Sequence, residues 1–585
     1  MTELRHEGSN TQSVSDQGQG QNQYQSLRQP TLPWQSGMWF ALGGQVIMIV
    51  NLGGIANLAG NLSYLIWFIG ALMAFCLYPV ISELTGMFPG VHGGGAIFGG
   101  LAYSRYSRAL SSMFVMGGWM GWGVLLAVGA SIISGMTMNV IAPFPTAKSA
   151  VVQSWFALRG SGFSIDNPEH LARAIADNYP EIRRLSFLDF NLTPLHFALN
   201  FNFFLGVFIL FFMYALQHRG LKYAAMIQRY LAPTVFGVMF LCSLWAILTG
   251  RINPDNLFTD LYPPNKQGSS ETGTWNIQGV TLIFSALFIV PWLNYIVEAT
   301  AVFAPEIKDL QKNMRKMFLC LLCIVLTISI IVPIVYQGVL GWERTDLSPN
   351  GMITDVFIDG TGMTDYFSIL IGSNTIFVTI IFTLIMMMLL FYNVSTGLEI
   401  CSRISAQAAI QGWWPRFLKR RNIYDSPNRS IWLNLIVNII ILGFINEKSD
   451  ISLIIGISNV GYFVYMFFLV NSVWIHRLDA PDHPRPYRAK NWQILAAIIF
   501  GFVNLLFLGA GSEVWHRLAL PIGCGIIVMA GAMTWFVSQR QINDTEKSLY
   551  VTWQPPHKRA GFLIFLVFSL AIAMISISNW VFNLT

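Results

Sequence analysis

A long series of apolar stretches limits the folds open to this chain more than any other feature. A helix needs about 20 consecutive apolar residues to cross the roughly 30 Å hydrocarbon core of a bilayer. Because lipid offers no hydrogen bonds to an exposed backbone, such stretches span it as helices. The sequence therefore predicts an all-α membrane protein with about 12–13 transmembrane helices. The stretches lie at 38–60, 62–84, 113–140, 194–216, 224–249, 277–302, 316–340, 367–398, 430–446, 451–474, 491–511, 516–537 and 560–581.

Composition excludes several functional classes. Only 11% of the 585 residues are charged, whereas ordinary soluble domains carry about 25%. A soluble fold of this size needs more charge on its surface, so membrane lipid must cover much of this one. The net charge of +6 is scattered and forms no basic stripe, so we predict no nucleic-acid partner. The sequence contains no nucleotide-binding loop, nucleophile elbow or metal-ligand cluster, and we predict neither an enzyme nor a cofactor.

The distribution of basic residues among the short loops predicts the orientation. With a cytoplasmic N-terminus, the inner loops hold about four times as many Lys and Arg residues as the outer loops. Residues 1–35 are rich in Gln, Ser and Gly, which predicts a disordered cytoplasmic tail. The long loop 141–193, which contains an amphipathic run at 168–184, then lies outside and is interpreted as an insertion or a lid. We expect the protein in the cell membrane, plasma or inner.

Two of the stretches contain residues that weaken a helix. In the first, Gly53 and Gly54 lie midway along the span beside Asn51, and each glycine costs about 1 kcal/mol relative to alanine. In the sixth, Pro291 removes a backbone donor, and Asn294 brings a polar side chain to membrane depth. Taken singly, a Gly-Gly pair is more often a packing contact and a proline a tolerated kink. Because they fall in corresponding stretches, we interpret them as paired interruptions.

The first and sixth stretches hold the same place in two successive blocks of five. Since five is odd, the second block begins on the opposite side of the membrane, which is the arrangement of an inverted repeat. The sequence thus predicts a first repeat at 36–249 and a second at 277–474. Two helices follow at 491–537, and a probable extra helix lies at 560–581.

Interrupted helices leave backbone dipoles unpaired at the centre of the bilayer. The freed amides of Gly53 and Gly54 are expected to attract a carboxylate. Freed carbonyls near Val50 and Pro291 are expected to accept hydrogen bonds from an ammonium group. This pattern favours a small zwitterionic solute such as an amino acid.

Four local patterns carry a resemblance to a known family. They are Ser82-Glu83-Leu84 with Phe88-Pro89-Gly90 and Gly93-Gly94-Gly95; Arg219-Gly220-Leu221-Lys222; Glu298-Ala299 with Glu306-Ile307-Lys308; and Ser402-Arg403 followed by Ala406, Ala408, Gly412 and Pro415. Over about residues 36–540 the chain resembles the amino acid–polyamine–organocation superfamily of transporters. Asn51-Leu52 with Ala56, and the run from Glu298 to Glu306, look most like its glutamate:GABA antiporter branch.

The resemblance implies two inverted five-helix repeats, alternating access, and exchange or proton-coupled uptake of amino acids or their amines. It places the substrate at the first and sixth helices, with membrane lipid as the surrounding partner and the oligomeric state open. The implied substrate-binding residues are Asn51, Leu52, Gly53, Gly54, Trp292, Tyr295 and Ile296. Glu298 is implied as a gating or coupling carboxylate, with a structural cap of the sixth helix as the alternative.

Departures from the family pattern bear on mechanism. Some proton-coupled relatives carry a buried lysine in the fifth helix, but residues 231–236 contain no base. Exchange is therefore favoured over proton-coupled uptake. Gln411 replaces a customary aspartate, and segment 560–581 exceeds the usual twelve helices without an assigned role. A transporter-like amino acid sensor is the alternative from another class.

Overall fold

A computed structural model describes residues 30, 32–141, 188–192, 195–267, 271–341, 371, 376–445, 448–541 and 555–583. Most of the predicted tail and the 168–184 run of the outer loop lie outside the described residues. The helices are α1 Trp34–Gln45, α2 Ile47–Ala59, α3 Ser63–Met87, α4 Gly94–Ser104, α5 Arg108–Gly123, α6 Leu125–Ile141, α7 Phe201–His218, α8 Leu221–Leu248, α9 Asp255–Phe258, α10 Ile277–Asn294, α11 Val297–Thr300, α12 Leu310–Leu340, α13 Ile376–Ile410, α14 Asn428–Gly443, α15 Lys448–Asp479, α16 Asn491–Trp515, α17 Ala519–Gln541 and α18 Gly561–Phe582.

The prediction of an all-α membrane protein is confirmed. Within the described residues, ten helical segments are long and apolar enough to cross a membrane. One of them, Trp34–Met87, has 54 residues and combines the first two predicted stretches. The fourth and ninth stretches coincide with the shorter apolar helices Asn202–His218 and Asn428–Gly443. The sequence did not predict α4, whose 11 residues, ten of them buried, are too few to span a bilayer.

The fourth stretch begins later than predicted. Strands β1 (Asp189–Leu192) and β2 (Leu195–Ala198) pair antiparallel where the helix was expected to start at residue 194. Asn200 then caps α7, because its side chain accepts a hydrogen bond from the amide of Phe203 at 2.9 Å. An extended residue with this capping side chain ends the hairpin and begins the helix.

An ion-pair cluster around the fully buried Glu83 joins α3 to α15 and to the loop after α15. Glu83 accepts two hydrogen bonds from Arg477, at 2.9 and 2.6 Å, and one from the amide of Ala489 at 2.8 Å. Arg485 lies 3.4 Å from the same carboxylate. The sequence places Glu83 near a helix end, where an interfacial anchor is expected, but its side chain is 0% exposed. Glu83 is therefore an internal tie between helices.

We expect Glu83→Ala to lower the free energy of unfolding by about 3 kcal/mol, because it removes the carboxylate from Arg477 and Arg485, whose side chains are only 13% and 7% exposed. Glu513→Ala is the matched control, since it removes a glutamate from a pair whose Arg517 is 75% exposed. That variant should lose at most about 1 kcal/mol. The measurement is unfolding in mixed micelles, and equal losses for the two variants would contradict the assignment of Glu83.

Candidate functional site

The first membrane-spanning stretch is interrupted at Val46, between α1 and α2. Val46 keeps helical dihedral angles, with φ −59° and ψ −36°. The amide of Ile49 bonds to the Val46 carbonyl, three positions earlier, at 3.2 Å. A hydrogen bond over three residues is a tight turn of the 3₁₀ type, which marks a local change in the helix.

The interruption predicted at 51–54 is wrong. Helix α2 runs through Asn51, Leu52, Gly53 and Gly54 without a break. The side chain of Asn51 donates to the carbonyl of Ile47 at 2.8 Å, so it bonds within its own helix. Two glycines cost only about 2 kcal/mol in a helix interior, and twelve of the thirteen α2 residues are buried. The carboxylate subsite predicted at these glycines therefore loses its physical basis.

The interruption predicted in the sixth stretch is confirmed. Helix α10 ends at Asn294 and α11 begins at Val297, which leaves Tyr295 and Ile296 between them. The amide of Tyr295 bonds to the carbonyl of Pro291 at 2.9 Å. That carbonyl is thus already paired, and it is not free for an ammonium group as the sequence predicted.

The two interruptions lie against each other. A Cβ atom added to Gly44 would lie 2.9 Å from Cγ2 of Ile296 and 2.7 Å from Cη2 of Trp122. Gln45, at the end of α1, donates from Nε2 to Oδ1 of Asn294, at the end of α10, at 3.2 Å. The discontinuities of the first and sixth stretches therefore form one junction.

A buried polar cluster bridges this junction to α12. Gln45 also donates to Oγ of Ser329 at 2.9 Å, and Ser329 donates to Oδ1 of Asn294 at 2.5 Å. The other amide atom of Gln45, Oε1, is buried and has no hydrogen-bond partner. Buried polar atoms are nearly always paired, so this acceptor between the two helix interruptions could accept a hydrogen bond from a further donor.

Side chains of α13 donate hydrogen bonds to backbone carbonyls of α1. Tyr392 donates to the carbonyl of Trp39, Thr396 donates to that of Phe40 at 3.0 Å, and Asn393 donates to that of Gly43 at 2.9 Å. Gly43 is needed for this approach, because an added Cβ would lie 2.8 Å from Cβ of Thr396. The protein thereby pairs the backbone next to the first interruption with side chains.

Glu298, just after the sixth-stretch interruption, is held by three neutral donors. Trp122 donates to Oε1 at 2.8 Å, Tyr462 to Oε1 at 3.3 Å, and Tyr465 to Oε2 at 2.6 Å. Glu298 is 2% exposed. Among the ion pairs of the described residues, none involves Glu298. A buried carboxylate without a cationic partner is a candidate for proton or solute coupling.

Trp122 is a site residue that the sequence did not single out. Glycines on α5 let this helix approach α15: an added Cβ on Gly117 would lie 2.5 Å from the carbonyl oxygen of Gly461. On Gly121 it would lie 2.1 Å from the ring of Tyr462. Small residues four apart are the sequence signal for such close packing of membrane helices.

The third stretch has an interruption of its own at Val124, between α5 and α6. Asn438 on α14 accepts a hydrogen bond from the amide of Ala127 at 3.0 Å. This side chain pairs an amide in the first turn of α6, which has no partner within that helix. This change of helix lies two residues after Trp122, close to the junction of the first and sixth stretches.

The remaining predicted residues of the sixth stretch point toward neighbouring helices. Trp292 donates from Nε1 to the carbonyl of Gly121 at 3.1 Å. The hydroxyl of Tyr295 pairs with the side-chain amide of Asn504 on α16, at 2.9 Å to Nδ2. Ile296 faces Gly44. Of the predicted set, Ile296 therefore reaches the junction, whereas Trp292 and Tyr295 connect it to α5 and α16.

The comparison with protein families identifies this architecture. The family model described as amino acid permease matches residues 36–532. The chain belongs to the amino acid permease family. Members of this family are membrane transporters of amino acids and not enzymes. A search of curated proteins finds no match to this permease.

A cavity of about 1060 Å³ opens at the end of the permease where α1 begins and α13 ends. Trp39, His92, Glu306, Arg403 and Arg229 are among the residues that line it. Burial, with the nearby positive charges of Arg421 and Arg403, lowers the pKa of His92 to about 3. His92 is therefore neutral at physiological pH.

A buried ion network lies beside this cavity. Arg403 donates to Glu306 at 3.1 and 3.2 Å and also pairs with Glu399 one turn earlier on α13. From sequence, Glu399 is interpreted as an interfacial anchor, but it is 3% exposed and lies inside the helix. The network joins the end of the sixth stretch to α13 at the mouth of the cavity.

We expect Gly44→Val to abolish transport by the permease, because its side chain overlaps Trp122 and Ile296 at the junction. Gly237→Val is the matched control, since a Cβ at that α8 position meets nothing within 4 Å. The measurement is solute uptake into proteoliposomes, with monodispersity in detergent as the check on folding. Normal uptake by a folded Gly44→Val variant would exclude the junction as the site.

Proposed function

We propose that this permease is a secondary active transporter that exchanges amino acids or their amine derivatives by alternating access. The substrate is held at the junction of the first and sixth stretches. The observation that carries the proposal is that the two interruptions adjoin, with the unpaired Oε1 of Gln45 buried between them. An ammonium group supplies the donor that this acceptor lacks.

The contacts at the junction support a substrate site there. Discontinuous helices place backbone dipoles at the centre of a transporter, where solutes bind. We place the first-helix part of this site at Gly44, Gln45 and Val46 and not at residues 51–54, because α2 is continuous through 51–54. Ile296 and Asn294 supply the sixth-helix part, and Trp122 forms a wall between them and Glu298.

Access to this site changes sides in the proposed cycle. The cavity beside Arg403 leads from the basic end of the bundle toward the start of α1. We place this end, with the N-terminus, in the cytoplasm of a cell whose plasma or inner membrane holds the permease. The two inverted repeats then rock around the junction, as alternating access requires.

Exchange is the proposed mode of transport. Helix α8 carries no basic residue between Leu231 and Phe236, so no lysine stands in for a coupling cation there. Glu298 is the proposed coupling carboxylate, because it is buried beside the sixth-stretch interruption and has only neutral donors. The glutamate:GABA antiporter branch stays a prediction that rests on the motif at 51–56 and the run 298–306.

Counterflow into proteoliposomes tests the proposal. Vesicles are preloaded with an unlabelled amino acid or decarboxylated amine and diluted into buffer that contains the same solute in labelled form. A transporter should then take up the labelled solute. The screen is run at two pH values across a set of amino acids and amines. A protein that only senses amino acids binds the labelled solute without counterflow, and that outcome would refute transport.

We expect Glu298→Gln to remove the pH dependence of counterflow while leaving the folded protein intact, because glutamine keeps the shape but does not titrate. The control Glu513→Gln changes an exposed surface pair and should keep the wild-type profile. The measurement is the initial counterflow rate between pH 5 and pH 8. An unchanged profile for Glu298→Gln would show that another group couples pH to transport.

A further inference from the structure

The last helix, α18, lies beyond residues 36–532 that match the family. One face is largely open, with Phe565 70% exposed and Ile572 66% exposed. The opposite face makes specific contacts with the core at three levels. The contacts in the middle and at the end of α18 are with the helices that carry Tyr465 and Asn504, which contact the proposed site.

The start of α18 is fixed by the end of α15. Asp479 is fully buried, and its Oδ1 accepts from the amides of Arg559 and Ala560 at 2.7 and 3.1 Å. Its Oδ2 accepts from the hydroxyl of Tyr106 at 2.7 Å. A carboxylate at a helix N-terminus pairs free amides and is favoured by the helix dipole. The two helices are thus joined at a defined position.

The middle of α18 packs against α15 one turn from a site residue. The ring of Phe568 lies 4.6 Å from that of Phe468 and 5.9 Å from that of Tyr103. Phe114 contacts both Phe468 and Tyr465, at 5.8 and 5.0 Å between ring centroids. Phe468 and Tyr465 are three residues apart and share a face of α15. The hydroxyl of Tyr465 is the donor to Glu298.

The end of α18 is fixed to α16 close to a second contact of the site. Ser578 donates to the carbonyl of Leu506 at 2.6 Å and accepts from the amide of Gly509 at 3.1 Å. A side chain at Gly509 would overlap the Ser578 backbone, because an added Cβ lies 2.4 Å from its carbonyl oxygen. Asn504, within two turns of these contacts, pairs with Tyr295 at the sixth-stretch interruption.

We propose that α18 is a positioning element, which holds α15 and α16 so that Tyr465 reaches Glu298 and Asn504 reaches Tyr295. Two separate lines of contact run from α18 to the same interruption, one through Phe468 and one through Gly509. The helix is therefore part of the coupling machinery and not only a membrane anchor. The inference rests on the proposed role of Glu298.

Infrared difference spectroscopy tests this without a transport assay. The carboxyl band of Glu298 is assigned by its loss in Glu298→Gln and is titrated from pH 4 to pH 10 in detergent-purified full-length protein. Loss of the Tyr465 hydroxyl in Tyr465→Phe removes a donor that favours the ionised carboxylate. We expect this loss to shift the Glu298 band, and the size of that shift sets the scale for the α18 variants.

Phe568→Ala should shift the same band in the same direction, and the double variant should shift no further than Tyr465→Phe alone. Phe568→Leu keeps apolar bulk at this position, so its Glu298 band should lie close to that of the wild type. Phe565→Ala on the open face should cause no shift.

A Glu298 band that is unchanged in Phe568→Ala, in both midpoint and frequency, overturns the inference. A shift that adds fully to that of Tyr465→Phe also overturns it, since α18 then acts by another route. Absence of counterflow would instead refute the proposed function, whatever the spectra show.

Discussion

Every backbone amide and carbonyl inside a bilayer must find its partner within the protein, and this constraint shapes the centre of the molecule. A continuous helix pairs its own amides and carbonyls, but an interrupted helix leaves some of them without a partner in the helix. Here polar side chains from neighbouring helices bond to the backbone near the interruptions. Asn393 and Thr396 donate to carbonyls of α1, and Asn459 donates to the carbonyl of Phe288 on α10. Asn438 accepts from an amide of α6. The interruptions are therefore built jointly by several helices, which is why they meet at one place.

The spanning helices were readable from the sequence, because hydropathy depends only on local composition. The sixth-stretch interruption was readable to within a few residues from Pro291 and Asn294: α10 continues through Pro291, and the interruption follows at Tyr295 and Ile296. The first was misplaced because the stretch contains two Gly-Gly pairs, at 43–44 and 53–54, that look alike in sequence. Only tertiary packing distinguishes them: Thr396 and Trp122 occupy the space beside the first pair. Trp122 and Gln45 were missed for the same reason.

Three glutamates that look alike in the sequence have different surroundings in the fold. Glu83 and Glu399 each pair with an arginine, whereas Glu298 has only indole and phenol donors. A buried ion pair is costly to break, because either partner left alone keeps its full desolvation penalty. The first two carboxylates therefore hold helices in fixed relation. Because its donors are neutral, Glu298 can gain or lose a proton without leaving an arginine unpaired.

The difference between neutral hydrogen bonds and ion pairs also indicates which contacts can be exchanged at low cost. The junction at Gln45, Asn294 and Ser329 is held by neutral hydrogen bonds, each worth about 1 kcal/mol net. Such contacts are readily exchanged for contacts with a bound solute. The cluster at Glu83, by comparison, combines ion pairs that resist separation. The low-cost place to exchange contacts is therefore the neutral junction, whereas the Glu83 cluster holds α3 and α15 in fixed relation. Asp479 fixes the start of α18 to the end of that same α15, so α18 belongs to the tied part of the fold.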